Sequence, residues 1–227
     1  MIDLSTEKVT GIVLKAEPIG EYDRRIVLLT GEKGKIAAFA KGARRQNSRL
    51  LLATNPFSFG IFTLYHGRSS FNLSEAEISN FFPHLRSDFE AAFYGMYFLE
   101  LMDYYTRENN DEKMMLNLLY QALKALSHQA YDNRLIRYVF EIKALSLNGE
   151  YPGPPKRVGK SADFLEPTIF ALDYITSQGI EKLFNFQVLP EILAEIAEIA
   201  DIFRLRFIDK SLKSLEILES LSEPREC

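Results

Sequence analysis

The chain has 227 residues, of which 47% are hydrophobic and 26% charged, with a formal net charge of −4 at pH 7. This composition is typical of a globular protein with room for one large domain or two small ones. No apolar run approaches the roughly 20 residues that span a bilayer, and the start, MIDLSTEK, lacks the features of a signal peptide, so we expect a cytoplasmic protein. The single cysteine, Cys227, excludes intramolecular disulfides and a cysteine-based zinc site within one chain.

Charge is distributed unevenly along the chain. Residues 1–80 contain 11 Lys and Arg against 8 Asp and Glu, whereas residues 81–227 contain the other 16 basic and 23 acidic residues. The two parts therefore have net charges of +3 and −7, which predicts two domains, 1–80 and 81–227, with different partners. Between Lys33 and Ser74 there are seven basic residues and no acidic one.

Residues 8–78 show the pattern of five short strands: KVTGIVLKA, DRRIVLLT, KIAAFAKG, FSFGIFTLYH and FNLSEAEI. Pro18 and Gly20 break the first strand, and the residues from Gly31 to Gly34 form a hairpin turn. Five strands in about 70 residues leave no room for crossover helices, which indicates a small antiparallel barrel. The number of strands favours an OB-fold, and on pattern alone an SH3-like barrel is the alternative.

Helical spacing begins after Phe82, where Ser87 and Glu90 have the S-x-x-E form of a capping box. Helices are predicted over 85–107, 113–127, 134–148, 168–176, 191–207 and 210–220. The segment 149–167 contains four prolines and three glycines, so it is predicted to be a loop. The predicted fold class is therefore α+β in two domains, a five-stranded OB-fold barrel followed by an all-α domain.

The acid-free stretch has the composition of a nucleic-acid interface, where cations follow the phosphates and aromatic rings stack on bases. Its aromatic residues, Phe57 among them, fit either base stacking or the barrel core. The candidate phosphate contacts are Lys35, Lys41, Arg44, Arg45 and Arg49, and Arg24, Arg25 and Arg68 extend their path.

The predicted helix RLIRYVFEIKAL contains Arg134 and Arg137 three positions apart, on one face, as candidate contacts for an acidic peptide or another protein. No partnered histidine, nucleophile elbow or metal-ligand cluster supports catalysis.

The segments GIVLKAEPIGEYDRRIVLLT and GKIAAFAKGARRQNSRL resemble the N-terminal signature of the RecO family of bacterial recombination mediators. The signature elements are G-x-V-L, E-x-D-R and A-K-G-x-R-R-x-x-S-R. They are matched here by Gly11, Val13, Leu14, Glu21, Asp23, Arg24, Ala40, Lys41, Gly42, Arg44, Arg45, Ser48 and Arg49. The resemblance continues through YFLEL, RYVFEIKALSLNGEYP, ALDYI, EKLFNFQV and KSLKSLEIL, so it covers nearly the whole chain.

The resemblance implies an OB-fold followed by a helical domain, and a non-enzymatic role in DNA repair and homologous recombination at the nucleoid. RecO-like proteins bind single- and double-stranded DNA and anneal complementary strands. With RecR, and in many bacteria RecF, they load RecA onto DNA coated by single-strand DNA-binding protein, whose acidic C-terminal tail they contact. The residues themselves leave open an alternative, an OB-fold protein-interaction adaptor that does not bind DNA directly.

The segment 149–167 departs from the family pattern. Many RecO-like proteins have a four-cysteine zinc module at this place, whereas this segment contains no cysteine and no histidine. We therefore expect no zinc and no other cofactor.

Overall fold

The computed structural model describes residues 6–67, 70–128, 130–156 and 163–222. The N-terminal part of the chain forms five strands. In each of them apolar residues either alternate with polar ones or follow one another without a break. The strands are β1 (Thr6–Ile19), β2 (Asp23–Thr30), β3 (Gly34–Ala40), β4 (Phe59–His66) and β5 (Phe71–Asn80), and a short helix, α1 (Leu50–Ala53), lies between β3 and β4. The hairpin turn predicted between Thr30 and Gly34 is confirmed.

The strands close into a barrel in the order β1-β2-β3-β5-β4. Neighbouring strands are antiparallel except β3 and β5, which pair in parallel at Ala38 and Phe71. Closure comes from β1, which pairs with β4 as well as with β2. This five-stranded Greek-key arrangement is that of an OB-fold, and the SH3-like alternative is excluded.

The barrel core is built from the inward positions of these strands. In β3 buried and partly exposed residues alternate strictly, as expected for a strand with one face inward. In β4 the inward residues are Phe62 and Leu64, both fully buried, whereas Ile61 on the opposite face is 39% exposed. The face of β4 that contains Phe59, Ile61 and Tyr65 therefore lies on the outside of the barrel.

The first strand is longer than predicted. It continues through Pro18 to Ile19, and Pro18 is paired with Arg24 of β2. The pairing of β1 with β4 ends at Ile12, so beyond that residue β1 pairs along one side with β2. Proline lacks an N–H and is tolerated at such an edge, which is why Pro18 does not end the strand.

The described part of the chain after β5 is mainly helical, as predicted. The longer helices are α2 (Phe89–Tyr105), α3 (Lys113–Ala125), α4 (Asn133–Leu147), α5 (Glu166–Ser177), α6 (Pro190–Phe207) and α7 (Lys213–Ser222). Asp88, not the predicted Ser87, caps α2, because its Oδ1 accepts a hydrogen bond of 3.0 Å from the Ala91 N–H. The Ser87 hydroxyl donates instead to the carbonyl oxygen of His84.

The chain divides into two compact units. One contains residues 1–87 and 99–116, and the other contains residues 88–98 and 117–227. Helices α2 and α3 thus contribute residues to both units. The division into domains 1–80 and 81–227 stays a prediction. Within the described residues, no helix is both long enough and apolar enough to cross a membrane.

Candidate nucleic-acid interface

Four of the predicted phosphate contacts lie in one segment of the barrel, residues 41–49, which we call the basic loop. The side chains of Lys41, Arg44, Arg45 and Arg49 are exposed, whereas Ala43 between them is fully buried and fastens the loop to the barrel core. In the part of the chain that the structure describes, none of the four forms an ion pair with a carboxylate. Their charges are therefore available to an anionic ligand.

The start of the basic loop is held by Asp23, the first residue of β2. The Oδ1 of Asp23 accepts a hydrogen bond of 2.7 Å from the Gly42 N–H. Gly42 has a φ of 65°, a conformation that residues with a Cβ adopt only at a cost. A carboxylate and a glycine therefore define the turn that directs the following arginines outward.

The segment that follows the basic loop is held by the neighbouring residue of β2, Arg24. Its Nη1 donates to the Leu51 carbonyl oxygen at 3.0 Å, to Thr54 Oγ1 at 2.8 Å and to Asn55 Oδ1 at 2.8 Å. Burial, and secondly the positive charge of Arg44, lower the pKa of Arg24. Arg24 was predicted to extend the phosphate path. The structure instead places its guanidinium among internal acceptors, where it orders the segment that follows the loop.

The hairpin tip between β1 and β2 lies against the basic loop. Arg44 donates its backbone N–H to the Tyr22 carbonyl oxygen at 2.8 Å and its Nη1 to the Gly20 carbonyl oxygen at 3.1 Å. The Arg45 guanidinium lies 5.3 Å from the centre of the Tyr22 ring, which is half-exposed. Glu21, at the same tip, is exposed as well.

Tyr22 is a candidate interface residue that the sequence analysis did not identify. An exposed aromatic ring beside cationic side chains is the arrangement on which single-stranded bases stack, and the β1–β2 loop is one of the places where OB-folds bind oligonucleotides. The feature of the sequence that could have identified Tyr22 is an aromatic residue within the polar turn GEYD. Of the aromatic residues considered as stacking platforms, Phe62 is fully buried and belongs to the core.

Two of the remaining predicted phosphate contacts, Lys35 and Arg25, are paired with carboxylates. Lys35 lies at the opposite end of β3, about 16 Å along the strand from Ala40. Its Nζ is 3.2 Å from Asp103 Oδ1 in α2, and Lys15 Nζ is 2.7 Å from Oδ2 of the same carboxylate. Arg25 is 3.3 Å from Glu17 Oε2 on the neighbouring strand. Arg68 lies outside the described residues.

The two arginines predicted as partner contacts have different surroundings in the helical unit. Arg134, at the start of α4, is exposed, and its Nη2 is 2.8 Å from Asp132 Oδ2. Arg137 is 6% exposed, and its Nε donates to Glu141 Oε1 at 2.7 Å. The same carboxylate oxygen accepts a hydrogen bond of 2.7 Å from the buried Tyr97 hydroxyl. Arg137 therefore belongs to the packing of the unit.

The residues of this chain do not fit a zinc module. Among the described residues no group of three His, Cys, Asp or Glu side chains could hold a metal ion. The sequence of segment 149–167 supplies neither thiolate nor imidazole ligands, which are the ligands of structural zinc sites.

The fold and the basic loop define a class of protein, a two-part chain in which an OB-fold barrel with an exposed cationic loop precedes a helical region. Two family models match this chain. They are Recombination protein O N terminal over residues 2–82 and Recombination protein O C terminal over residues 86–153. The chain belongs to the RecO family, which confirms the resemblance seen in the sequence.

Curated relatives match both parts of the chain. The DNA repair protein RecO of Clostridium novyi is 28% identical over an alignment of 244 positions, which covers 96% of this chain and 95% of the relative. The DNA repair protein RecO of Alkaliphilus metalliredigens is 36% identical over 145 residues, 64% of this chain and 59% of the relative. That of Acetivibrio thermocellus is 26% identical over 242 residues, 94% of this chain and 96% of the relative.

Proposed function

We propose that this protein acts in DNA repair and recombination by binding single- and double-stranded DNA through the basic loop and by annealing complementary strands. The observation that carries the proposal is the arrangement of Lys41, Arg44, Arg45 and Arg49. All four are exposed and none forms an ion pair with a described carboxylate. Asp23 fixes the start of the loop, and Arg24 fixes the segment that follows it. A fixed set of cations is suited to a phosphate backbone.

The proposed mechanism requires no catalytic side chain. The basic loop neutralises phosphates of one strand, which lowers the repulsion of a second strand, and Tyr22 supports an unpaired base by stacking. Arginine contacts to phosphates position a strand without reading its sequence. The bases therefore remain free to pair, as annealing requires.

The proposed partners follow from the family. They are RecR, the C-terminal tail of single-strand DNA-binding protein, RecF and RecA. The proposed site of action is the nucleoid in the cytoplasm. Loading RecA onto coated DNA is part of this proposal. Of the two arginines first considered for the acidic tail, we retain Arg134, because its side chain is exposed and Arg137 is not.

The test is to reverse three charges of the basic loop, with Arg44→Glu, Arg45→Glu and Arg49→Glu in one chain, and to titrate a single-stranded oligonucleotide at several salt concentrations. Each phosphate that the variant no longer neutralises should flatten the slope of log affinity against log salt by about 0.7. The matched control has Lys124→Glu, Lys182→Glu and Lys210→Glu, which change the net charge equally at exposed positions of the helical unit.

Equal affinity and an equal slope for wild type and the loop variant would reject the proposed surface. If the wild-type protein also failed to anneal complementary oligonucleotides, the interaction adaptor without direct DNA binding would replace the proposal.

A further inference from the structure

The helical unit contains an open apolar groove of about 360 Å³ between α5, residues 186–189 and the start of α6. Its lining includes Phe170 and Tyr174 of α5, Leu189, and Ile192 of α6. The rings of Tyr174 and Phe186 meet edge to face with centroids 5.0 Å apart, which gives the groove an aromatic wall. Its volume is within the roughly 300–1,000 Å³ of ligand-binding clefts.

Two large apolar side chains on this groove face solvent. Phe170 is 73% exposed and Leu189 is 64% exposed. Burial of such side chains in a complex removes apolar surface from water, which favours association. Exposed apolar surface that lies around a preformed groove is typical of interaction sites.

The charge around the groove indicates what chemistry its occupant has. From Asp163 to Ile202 the chain contains eight acidic residues and one basic residue, Lys182, so this segment has a net charge of −7 against −4 for the whole chain. Glu166 and Asp173 lie four positions before and three positions after Phe170, on the same stripe of α5, and both are exposed. Glu191, also exposed, directly precedes Ile192 of the lining.

At least three of these eight acids have contacts within the chain. Glu181 Oε1 accepts a hydrogen bond of 2.9 Å from Asn117 Nδ2, and Asp201 Oδ1 lies 3.1 Å from Arg204 Nη2. The Oε2 of Glu195 accepts hydrogen bonds from the Leu165 N–H at 2.9 Å and from the Thr168 hydroxyl at 2.6 Å, and so holds the start of α5 against α6. The exposed carboxylates around Phe170 have no such internal role among the described contacts. They are arranged as a negative rim around an apolar floor.

We propose that the α5–α6 groove docks a basic amphipathic segment of a partner protein, which inserts one or two large apolar side chains between Phe170 and Leu189 and pairs its Lys or Arg residues with Glu166, Asp173 and Glu191. The lining residues of α5, from Pro167 to Tyr174, span about 10 Å, which matches two turns of a docked helix. DNA is not the occupant, because its phosphates would meet carboxylates.

The probe is a short fluorescein-labelled peptide with Leu at helical positions i, i+3, i+4 and i+7 and Lys at the others, measured by fluorescence anisotropy. We expect saturable binding that weakens as salt rises. A peptide of the same composition in scrambled order and one with Glu in place of Lys should bind much more weakly. Equal binding of all three peptides would overturn the proposal.

Matched variants locate the site. Phe170→Ala with Leu189→Ala should weaken binding about tenfold or more, whereas Leu205→Ala, which removes a 75% exposed side chain elsewhere in the unit, should have little effect. Glu166→Gln with Asp173→Asn should weaken binding at low salt and reduce its salt dependence. The control Glu150→Gln with Glu216→Gln neutralises two exposed carboxylates that do not line the groove.

Three further outcomes are decisive. The variant with Arg44→Glu, Arg45→Glu and Arg49→Glu should bind the peptide as the wild-type protein does, and oligonucleotide should not compete, so the groove is tested separately from DNA binding. Equal affinity of the groove variants and the wild type would reject the site. Concentration-dependent self-association that disappears in the Phe170→Ala, Leu189→Ala variant would show that a second copy of this chain occupies the groove instead.

Discussion

The carboxylate of Asp23 holds the backbone N–H of Gly42 at 2.7 Å, across 19 positions of the chain. The same strand start also supplies Arg24, whose guanidinium bonds to Leu51, Thr54 and Asn55. Two adjacent residues of β2 thus hold the start of the basic loop and the segment that follows it. This connects the E-x-D-R and A-K-G-x-R-R-x-x-S-R elements of the family signature, because the first positions the second.

The substitution Asp23→Ala tests whether Asp23 affects DNA binding by positioning the basic loop or through its own negative charge. The substitution removes a negative charge close to the basic loop, which by electrostatics alone would strengthen DNA binding. We expect the opposite, a weaker affinity for single-stranded oligonucleotide, because the turn at Gly42 is no longer held. Asp23→Asn keeps a side-chain oxygen acceptor and should bind at least as tightly as the wild type. Stronger DNA binding by Asp23→Ala would contradict the positioning role.

Arg24 and Arg25 are adjacent but should differ in their contribution to stability. Arg24→Leu leaves three acceptors without their donor, and hydrogen bonds to a charged group contribute about 1.5–3 kcal/mol each at most. We expect urea unfolding to show a loss of about 2–4 kcal/mol. Arg25→Leu removes an exposed pair with Glu17 and should cost less than about 1 kcal/mol. Equal losses for the two variants would be inconsistent with the observed contacts.

Asp103 should make stability depend on pH. Partial burial raises its pKa, but the hydrogen bond from Lys15 and the charge of Lys35 outweigh burial, so the pKa lies below its usual value. A carboxyl with a lowered pKa in the folded state stabilises the protein above its unfolded pKa of about 3.9, and this contribution is lost as the pH falls through the folded value.

Asp103→Asn should therefore lower the free energy of unfolding at neutral pH, and the difference from the wild type should shrink below about pH 4. Glu17→Gln, which removes an exposed ion pair, serves as the control and should cost less than about 1 kcal/mol at neutral pH. Denaturant unfolding at a series of pH values gives the comparison. A difference for Asp103→Asn that stays constant down to acidic pH would exclude this linkage.

Arg137 and Arg134, three positions apart on α4, provide a matched pair in the helical unit. Arg137→Leu leaves the buried Glu141 without its cationic partner, and breaking a buried pair in this way costs about 3–5 kcal/mol. Arg134→Leu removes an exposed pair with Asp132 and should cost at most about 1 kcal/mol. Thermal and urea unfolding followed by circular dichroism measure both, and similar melting temperatures for the two variants would refute the structural role of Arg137.

The protein should also fold without zinc. Its only cysteine is Cys227, and the segment 149–167 offers no metal ligand of the thiolate or imidazole type. Elemental analysis of the purified protein should find far less than one zinc per chain, and a chelator should leave its melting temperature unchanged. Stoichiometric zinc, or a lower melting temperature with chelator, would disprove this expectation.

Local sequence patterns predicted most of the fold. The alternation of apolar residues in KIAAFAKG places a strand close to β3, and the 3.6-residue spacing after Pro190 places a helix close to α6. Elements without such a period were predicted less well. Helix α1 has four residues and is too short to show one, and β1 passes Pro18 because that part of the strand has a single neighbour.

The site residues stay a prediction, but the surroundings of their side chains could be anticipated from the sequence only in part. Sequence composition identified Lys41, Arg44, Arg45 and Arg49 as cations without nearby carboxylates. A segment that is rich in cations and contains no acidic residue has no local carboxylate with which those cations can pair. Composition also placed Lys35 and Arg24 on the phosphate path. Their partners, Asp103 and the segment 51–55, lie 68 and about 27–31 positions away, and no local pattern reveals such pairs.

The order of the strands and of the longer helices, the family and the location of the positive charge could be predicted from the sequence, since these depend on near neighbours and on residue type. The folded structure was needed to show which cations are exposed and which are used internally, how the Tyr22 ring lies against Arg45, and where Phe170 and Leu189 border an apolar groove with an acidic rim. These properties come from contacts between residues far apart in the chain, and those contacts exist only once the chain has folded.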